Sequence, residues 1–237
     1  MPAETAWRSW LDQWAKLGRT LHALLLRPGL LTQEHLGGGR VRYIAPLTLY
    51  LNTVALFFVL SALSDFRLSA FLASADVGDL AQMVARRAAA ENITPALFLE
   101  HADRRFQTIY TLCLSMISVV GYAAIARVFF RRHWQGWRGP ITFALHFMAF
   151  VFIVYMPSTT LAIKLARSHA TIAQAFGTAV FLLGALLIAA WFTLAIRRLF
   201  GDPWPWALAK GTAIMLLGIP INTLMWDVAV RVTLMTT

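Results

Sequence analysis

Five apolar runs fill most of the chain after residue 42: Tyr43–Leu63, Phe106–Ala126, Pro140–Ile163, Thr171–Ile196 and Gly211–Trp226. A helix rises about 1.5 Å per residue, so roughly 20 apolar residues cross the hydrocarbon core of a bilayer. Four runs have that length with no acidic or basic residue inside, and the fifth gains it when Ala207–Ala209 joins and Lys210 lies near the membrane surface. Only 14% of the 237 residues are charged and 59% are hydrophobic, whereas a soluble domain carries about 25% charged residues. In lipid each backbone polar group needs an internal partner, so the spans are expected to be helices. A β-barrel would instead show alternating segments of about 10 residues, and none are visible. The expected fold class is all-α, a polytopic membrane bundle of five transmembrane helices.

Orientation follows from where Lys and Arg fall. With the N-terminus cytoplasmic, that side collects 13 of the 21 basic residues and 4 of the 11 acidic ones. The opposite side then holds 8 basic and 7 acidic residues, so the expectation is N-terminus in and C-terminus out, in an inner (cell) membrane. The formal charge of +10 does not imply a nucleic-acid partner. Basic residues beside helix ends orient spans and attract anionic headgroups, and no soluble basic module is evident. Cys113 is the only cysteine and sits in the second run, so it forms no internal disulfide. The first 26 residues lack the apolar centre of a cleavable signal peptide.

Residues 1–42 are expected to form a cytoplasmic amphipathic helix and connector, ahead of a five-helix membrane domain over 43–237. Trp7, Trp10, Leu11, Trp14, Leu17, Leu21, Leu24 and Leu25 share one helical stripe, with Arg8, Asp12, Lys16 and Arg19 opposite. Such a helix suits the headgroup boundary, and the same stripe equally fits packing against the bundle. The longest polar stretch, 64–105, is expected outside the cytoplasm, with helices over Asp79–Ala90 and from Pro95 through Arg105. It is either a cap over an opening or a surface hairpin. Asn92-Ile93-Thr94 matches a glycosylation acceptor at the level expected by chance.

Between the first helix and the first span the sequence reads LLRPGLLTQEHLGGGRVRYIAPLTLYL, residues 25–51. Arg27-Pro28-Gly29 ends a helix, since Pro breaks it and Gly permits a reversed turn. Thr32 is placed to cap a short helix through His35–Leu36, and Gly37–Gly39 allow close backbone approach. Pro46 falls in the first turn of the next helix, where it is tolerated. This stretch resembles the "LLLRPG…T.E.L.G.R.RY..PL.LY" line of a bacterial membrane family catalogued as domain of unknown function 3667. A second line of that family, "F..HF..F", is matched by Phe143, His146, Phe147 and Phe150. The resemblance implies a membrane fold and carries no activity. Many members have an N-terminal cysteine zinc ribbon, which a chain with one cysteine cannot form, so no metal and no cofactor is implied.

His146 lies deep in the third run, and ionisable residues at that depth are costly and often functional. A neutral histidine bonded to a neighbouring helix is the plainer alternative. Arg27, Glu34, His35, Arg40, Arg42 and Tyr43 crowd one short segment. Arginine forks and glycine-rich backbone suit a phosphate or carboxylate, although the spacing is not that of a phosphate-binding loop. Tyr50, Asn52, Asn222 and Asp227 are candidate intramembrane polar residues, and Asp227 can pair with Arg231 four residues on. No HExxH, Gly-x-Ser-x-Gly or internal repeat is present, and catalytic residues are not assignable.

The leading expectation is a binding or transport-type membrane component. It engages an anionic lipid or small anion at the cytoplasmic mouth through Arg27, Arg40 and Arg42, with His146 as an internal polar switch. An enzyme acting on a lipid through Glu34, His35 or His146 is the second reading. A structural subunit docking on a membrane partner or on its own copy is the third.

Overall fold

The structure, a computed structural model, describes residues 2–39, 41–62, 68, 69, 78–155, 157, 158, 161, 165 and 171–237. Arg40, most of 63–77 and most of 156–170 lie outside these, including the far end of the third apolar run. Among the described residues there are helices and no strands. In chain order they are α1 (Pro2–Leu26), α2 (Leu30–Leu36), α3 (Pro46–Ala62), α4 (Gly78–Ala90) and α5 (Pro95–Cys113). A π-helical turn, Leu114–Ser118, leads into α6 (Val119–Phe129), and a second, Val151–Tyr155, follows α7 (Arg138–Phe150). The chain ends with α8 (Thr171–Phe200) and α9 (Trp204–Thr236).

Two of the five apolar runs lie on helices long enough to cross a bilayer, α8 and α9. Within the described residues the helical apolar lengths of the other three are shorter, at Pro46–Leu60, Met116–Phe129 and Arg138–Val154. The second run opens inside α5 and passes through a π turn, and the third meets a π turn at Val151. The helix expected from Pro95 through Arg105 is present, and with no breaker between Arg105 and Phe106 it runs straight on into the second run.

The chain divides into two compact units, Met1–Thr53 with Val119–Leu217, and Val54–Ser118 with Gly218–Thr237. In the first, α7 is the core. Every residue from Thr142 to Phe152 is buried, as expected of a helix apolar on all sides. Helix α6 packs along it, with Tyr122 edge-on to Phe147 at 4.8 Å. Phe143, Phe147 and Phe150 recur at helical spacing and surround Trp191 of α8 at 5.9, 5.7 and 5.3 Å. The C-terminal part of α1 packs against the protein. Thr20, Ala23 and Leu24 are buried near α2 and α7, while Leu11 and Trp14 stay 47% and 54% exposed.

In the second unit α4 packs on α5, burying Val84, Ala88, Phe98 and Ala102. Their connection is a Schellman turn: Ile93 N–H donates to the Ala88 carbonyl and Asn92 N–H to that of Ala89. Asn92, at φ 56°, supplies the left-handed residue. Thr94 Oγ1 then accepts from Leu97 N–H ahead of Pro95, the first residue of α5. Asp103 fastens Ser69, accepting from its N–H at 2.9 Å and its hydroxyl at 2.6 Å. Phe106, Tyr110 and Trp226 form a mutual aromatic trio.

What positions the family-like segment is the turn after α1. Pro28 and Gly29 are buried, and Gly29 has φ 83°. A Cβ there would lie 2.9 Å from the Ala195 carbonyl oxygen and 3.1 Å from its Cα, both backbone atoms of α8. Glycine is required twice, for the left-handed conformation and for the contact. Gly29→Ala is expected to cost about 2 kcal/mol or more, read as a lowered Tm in detergent. Gly18→Ala, within α1 and with nothing within 4 Å of its Cβ position, should be neutral or stabilising by up to about 1 kcal/mol.

Candidate functional site

Helix α2 and the turn before it are held in the first unit by side-chain bonds from α7 and α8. On α7, His146 Nδ1 and Thr32 Oγ1 share a hydrogen bond of 2.9 Å, both side chains being buried. The hydroxyl can donate or accept, so either histidine tautomer fits. From α8, Trp191 Nε1 donates to the Leu24 carbonyl at 2.9 Å, and Arg198 Nη1 to that of Pro28 at 3.0 Å. These close the carbonyls left open where α1 ends. Thr32 therefore does not cap its helix, as its position had suggested. Gly29 is the N-cap without a side-chain bond, and Thr32 lies far enough inside the helix to face α7.

The glycine connector folds back on α2. Gly39 N–H donates to the Glu34 carbonyl at 2.8 Å, and the Glu34 carboxylate occupies the place a Gly39 side chain would take. His35, Gly39, Tyr43 and His146 border a cavity of about 10 Å³. A single water needs about that volume. Neither a headgroup nor a carboxylate fits beside His146.

A larger space opens between α1 and the start of α3. This groove has a volume of about 550 Å³. Its polar lining is Gln13 and Lys16 from α1 with Thr48 and Asn52 from α3, pairs spaced three and four apart and thus each on one helical face. Trp14, Leu17 and Ile44 supply its apolar wall. The Thr20 hydroxyl fixes the junction, donating to the Lys16 carbonyl at 2.7 Å and accepting from Ile44 N–H at 3.1 Å. Among the described residues none of the four polar side chains has a hydrogen-bond or ion-pair partner.

The other expected residues do not converge. Arg27 is exposed beside the buried Pro28-Gly29 turn. Arg42 is exposed, its guanidinium 5.6 Å from the centre of the Tyr43 ring. Arg40 is outside the described residues. Tyr50 is buried with its ring 6.0 Å from Phe152, whereas Asn52 faces the groove. In the second unit Asn222 is exposed, and Asp227 accepts from Arg231 Nε at 2.8 and 2.9 Å, the pair read from their spacing. Among the described residues no group of three or more His, Cys, Asp or Glu could hold a metal.

Gln13, Thr48, Thr20 and Trp191 were not singled out from sequence, and Lys16 was placed only on the polar side of the first helix. The spacings Gln13/Lys16 and Thr48/Asn52 are visible there, but nothing shows that the two faces meet. Thr32 and His146 lie in the two family lines and are 114 residues apart, and only the fold brings them together.

Fold and site thus describe an all-helical chain with two helices of membrane-spanning length and an amphipathic groove beside its N-terminal helix. Residues 15–58 match the model of a family described as Protein of unknown function (DUF3667), the family the RPG and RY..PL.LY line resembles. The match takes in the end of α1, the buried turn, α2 and most of α3. No curated protein and no solved structure matches the chain.

Removing one partner of a buried hydrogen bond leaves the other unsatisfied, at about 1–3 kcal/mol. Thr32→Val and His146→Leu should each destabilise by about that much. The double variant should cost less than their sum by about 1 kcal/mol, measured as a double-mutant cycle on unfolding. Strict additivity would mean the bond contributes nothing.

Proposed function

We propose that this protein is a five-span bundle of a bacterial inner membrane, N-terminus cytoplasmic and C-terminus outside, that binds an anionic lipid or small anion at its cytoplasmic mouth. For the membrane, support comes from the surface of α8 and α9. The apolar window of α8 has a mean hydropathy of 2.5 and is only 33% buried. The core helix of a soluble protein would be mostly buried. Here Phe176, Phe181, Leu182, Leu183, Leu186 and Leu187 are all exposed, a surface that lipid solvates and water does not. In the orientation given by the basic residues, Arg197 and Arg198 end α8 on the cytoplasmic side, with the Arg197 guanidinium 4.0 Å from the centre of the Trp204 ring. An Arg–Trp pair suits the headgroup layer.

One observation carries the binding reading: a groove of about 550 Å³ that combines one cation with uncommitted amides, a hydroxyl and an apolar wall. Most of it lies within the family-like segment. Arg27 and Arg42, both exposed, add positive potential nearby in sequence. Lys16 takes the role that sequence gave to the arginines alone. The tight packing at His146 favours a structural histidine over a switch. The same tight packing favours, as a second reading, a structural subunit whose spans dock on a partner.

Two experiments test the proposal. On a Cys113→Ser background, an impermeant maleimide added to intact cells should label Thr237→Cys, and label Ala3→Cys only after permeabilisation. Labelling of both without permeabilisation would remove the five-span topology. Purified protein should bind anionic vesicles about fivefold more weakly after Lys16→Ala, a single headgroup cation contributing about 1 kcal/mol. Arg231→Ala, which is paired with Asp227 and is not among the groove's lining residues, should change nothing.

A further inference from the structure

Resting on that reading, we infer that the groove between α1 and α3 selects a phospholipid with one phosphodiester charge and a polyol headgroup, of the phosphatidylglycerol type. The chemistry of the lining carries this. Among the described residues that line it, Lys16 is the only cation and none is a carboxylate. One ammonium matches the single charge of a phosphodiester. A phosphomonoester or a paired phosphatidyl headgroup brings a second charge that finds no second cation. An ethanolamine headgroup brings an ammonium beside Lys16, with no acid to receive it. Both mismatches leave a like-charged or unpaired group at a partly desolvated site.

The remaining polar groups are neutral and two-sided. Gln13 and Asn52 each offer a carbonyl and an amine, and Thr48 a hydroxyl that donates or accepts. Such groups match hydroxyls better than charges, because an alcohol can use both donor and acceptor on one amide. Gln13, Thr48 and Asn52 are exposed and Lys16 half-buried, so each reaches a ligand without breaking an internal bond. The apolar wall sets the source of the headgroup as a lipid. Trp14 is 54% exposed in the groove, and Leu47 and Leu51 are exposed on the same helix as Thr48 and Asn52. A free glycerophosphate would leave those surfaces in contact with water.

The test uses full-length protein in detergent, titrated with equimolar phosphatidylglycerol, phosphatidate, cardiolipin and phosphatidylethanolamine, with bound lipid counted by native mass spectrometry. Wild type should favour phosphatidylglycerol over each of the others by about threefold or more. Asn52→Leu should weaken the preference over phosphatidate, the polyol contact being lost and the charge mismatch kept, while leaving that over phosphatidylethanolamine intact. Lys16→Ala should erase the latter, and Lys16→Arg should restore it. Soluble glycerophosphoglycerol at millimolar concentration should displace no lipid. Equal binding of all anionic lipids would overturn the polyol assignment and leave the anionic site standing. Equal binding of anionic and zwitterionic lipids would remove both. Displacement by the soluble headgroup would overturn the lipid source. An unchanged Tm for Asn52→Leu shows that the variant is folded, and Thr48→Val serves as the second reporter should it not be.

Discussion

Contact between the backbones of Gly29 and Ala195 sets how closely the segment after α1 can approach α8, and everything attached to that segment inherits the distance. A methyl group at residue 29 would meet a carbonyl oxygen and a Cα, neither of which can rotate away as a side chain would. With glycine present, Pro28 and Gly29 are buried and the Pro28 carbonyl comes within reach of Arg198. Thr32 then comes within 2.9 Å of His146. Two further polar groups, the Leu24 carbonyl and Trp191 Nε1, satisfy each other in the same region. The polar content of this interior is thus small and matched, as a medium of low dielectric demands.

Much of the architecture was legible because helices in apolar chains leave long, charge-free traces. The end of α1 at Arg27-Pro28-Gly29, the start of α3 at Pro46 and the break before Pro95 follow from the restricted φ of proline and the freedom of glycine. The Asp227–Arg231 pair follows from helical spacing alone. Less accessible was anything that depends on which helix faces which. Thr32 reads as a cap because threonine near a helix start usually is one, and only the presence of His146 at its side reassigns it. The π turns at Leu114–Ser118 and Val151–Tyr155 leave no mark in an apolar run. Within the described residues they interrupt the regular α-helix of the second and third runs.

The candidate site shows the same division. Sequence draws attention to arginines because charge is conspicuous, and the fold leaves Arg27 and Arg42 at the surface. The groove depends instead on Lys16 and three neutral side chains, residue types that are ordinary on any helix. Their significance arises from two helices brought together beside Thr20, whose hydroxyl joins the Lys16 carbonyl to Ile44 N–H. A small buried hydroxyl thereby bridges two lining residues of a much larger opening.

The π turns have an effect on how chains of this kind can vary in length. Adding a residue to an α-helix ordinarily rotates everything beyond it by about 100° and turns inward faces outward. A π turn widens the backbone ring by one residue and so absorbs an addition locally. Relatives of this chain can therefore differ by one position at 114–118 or 151–155 while Tyr122 and the aromatic stripe of α7 keep their facings. Gaps of a single residue in an alignment at these two places would mark retained architecture, where elsewhere in the same helices they would signal its loss.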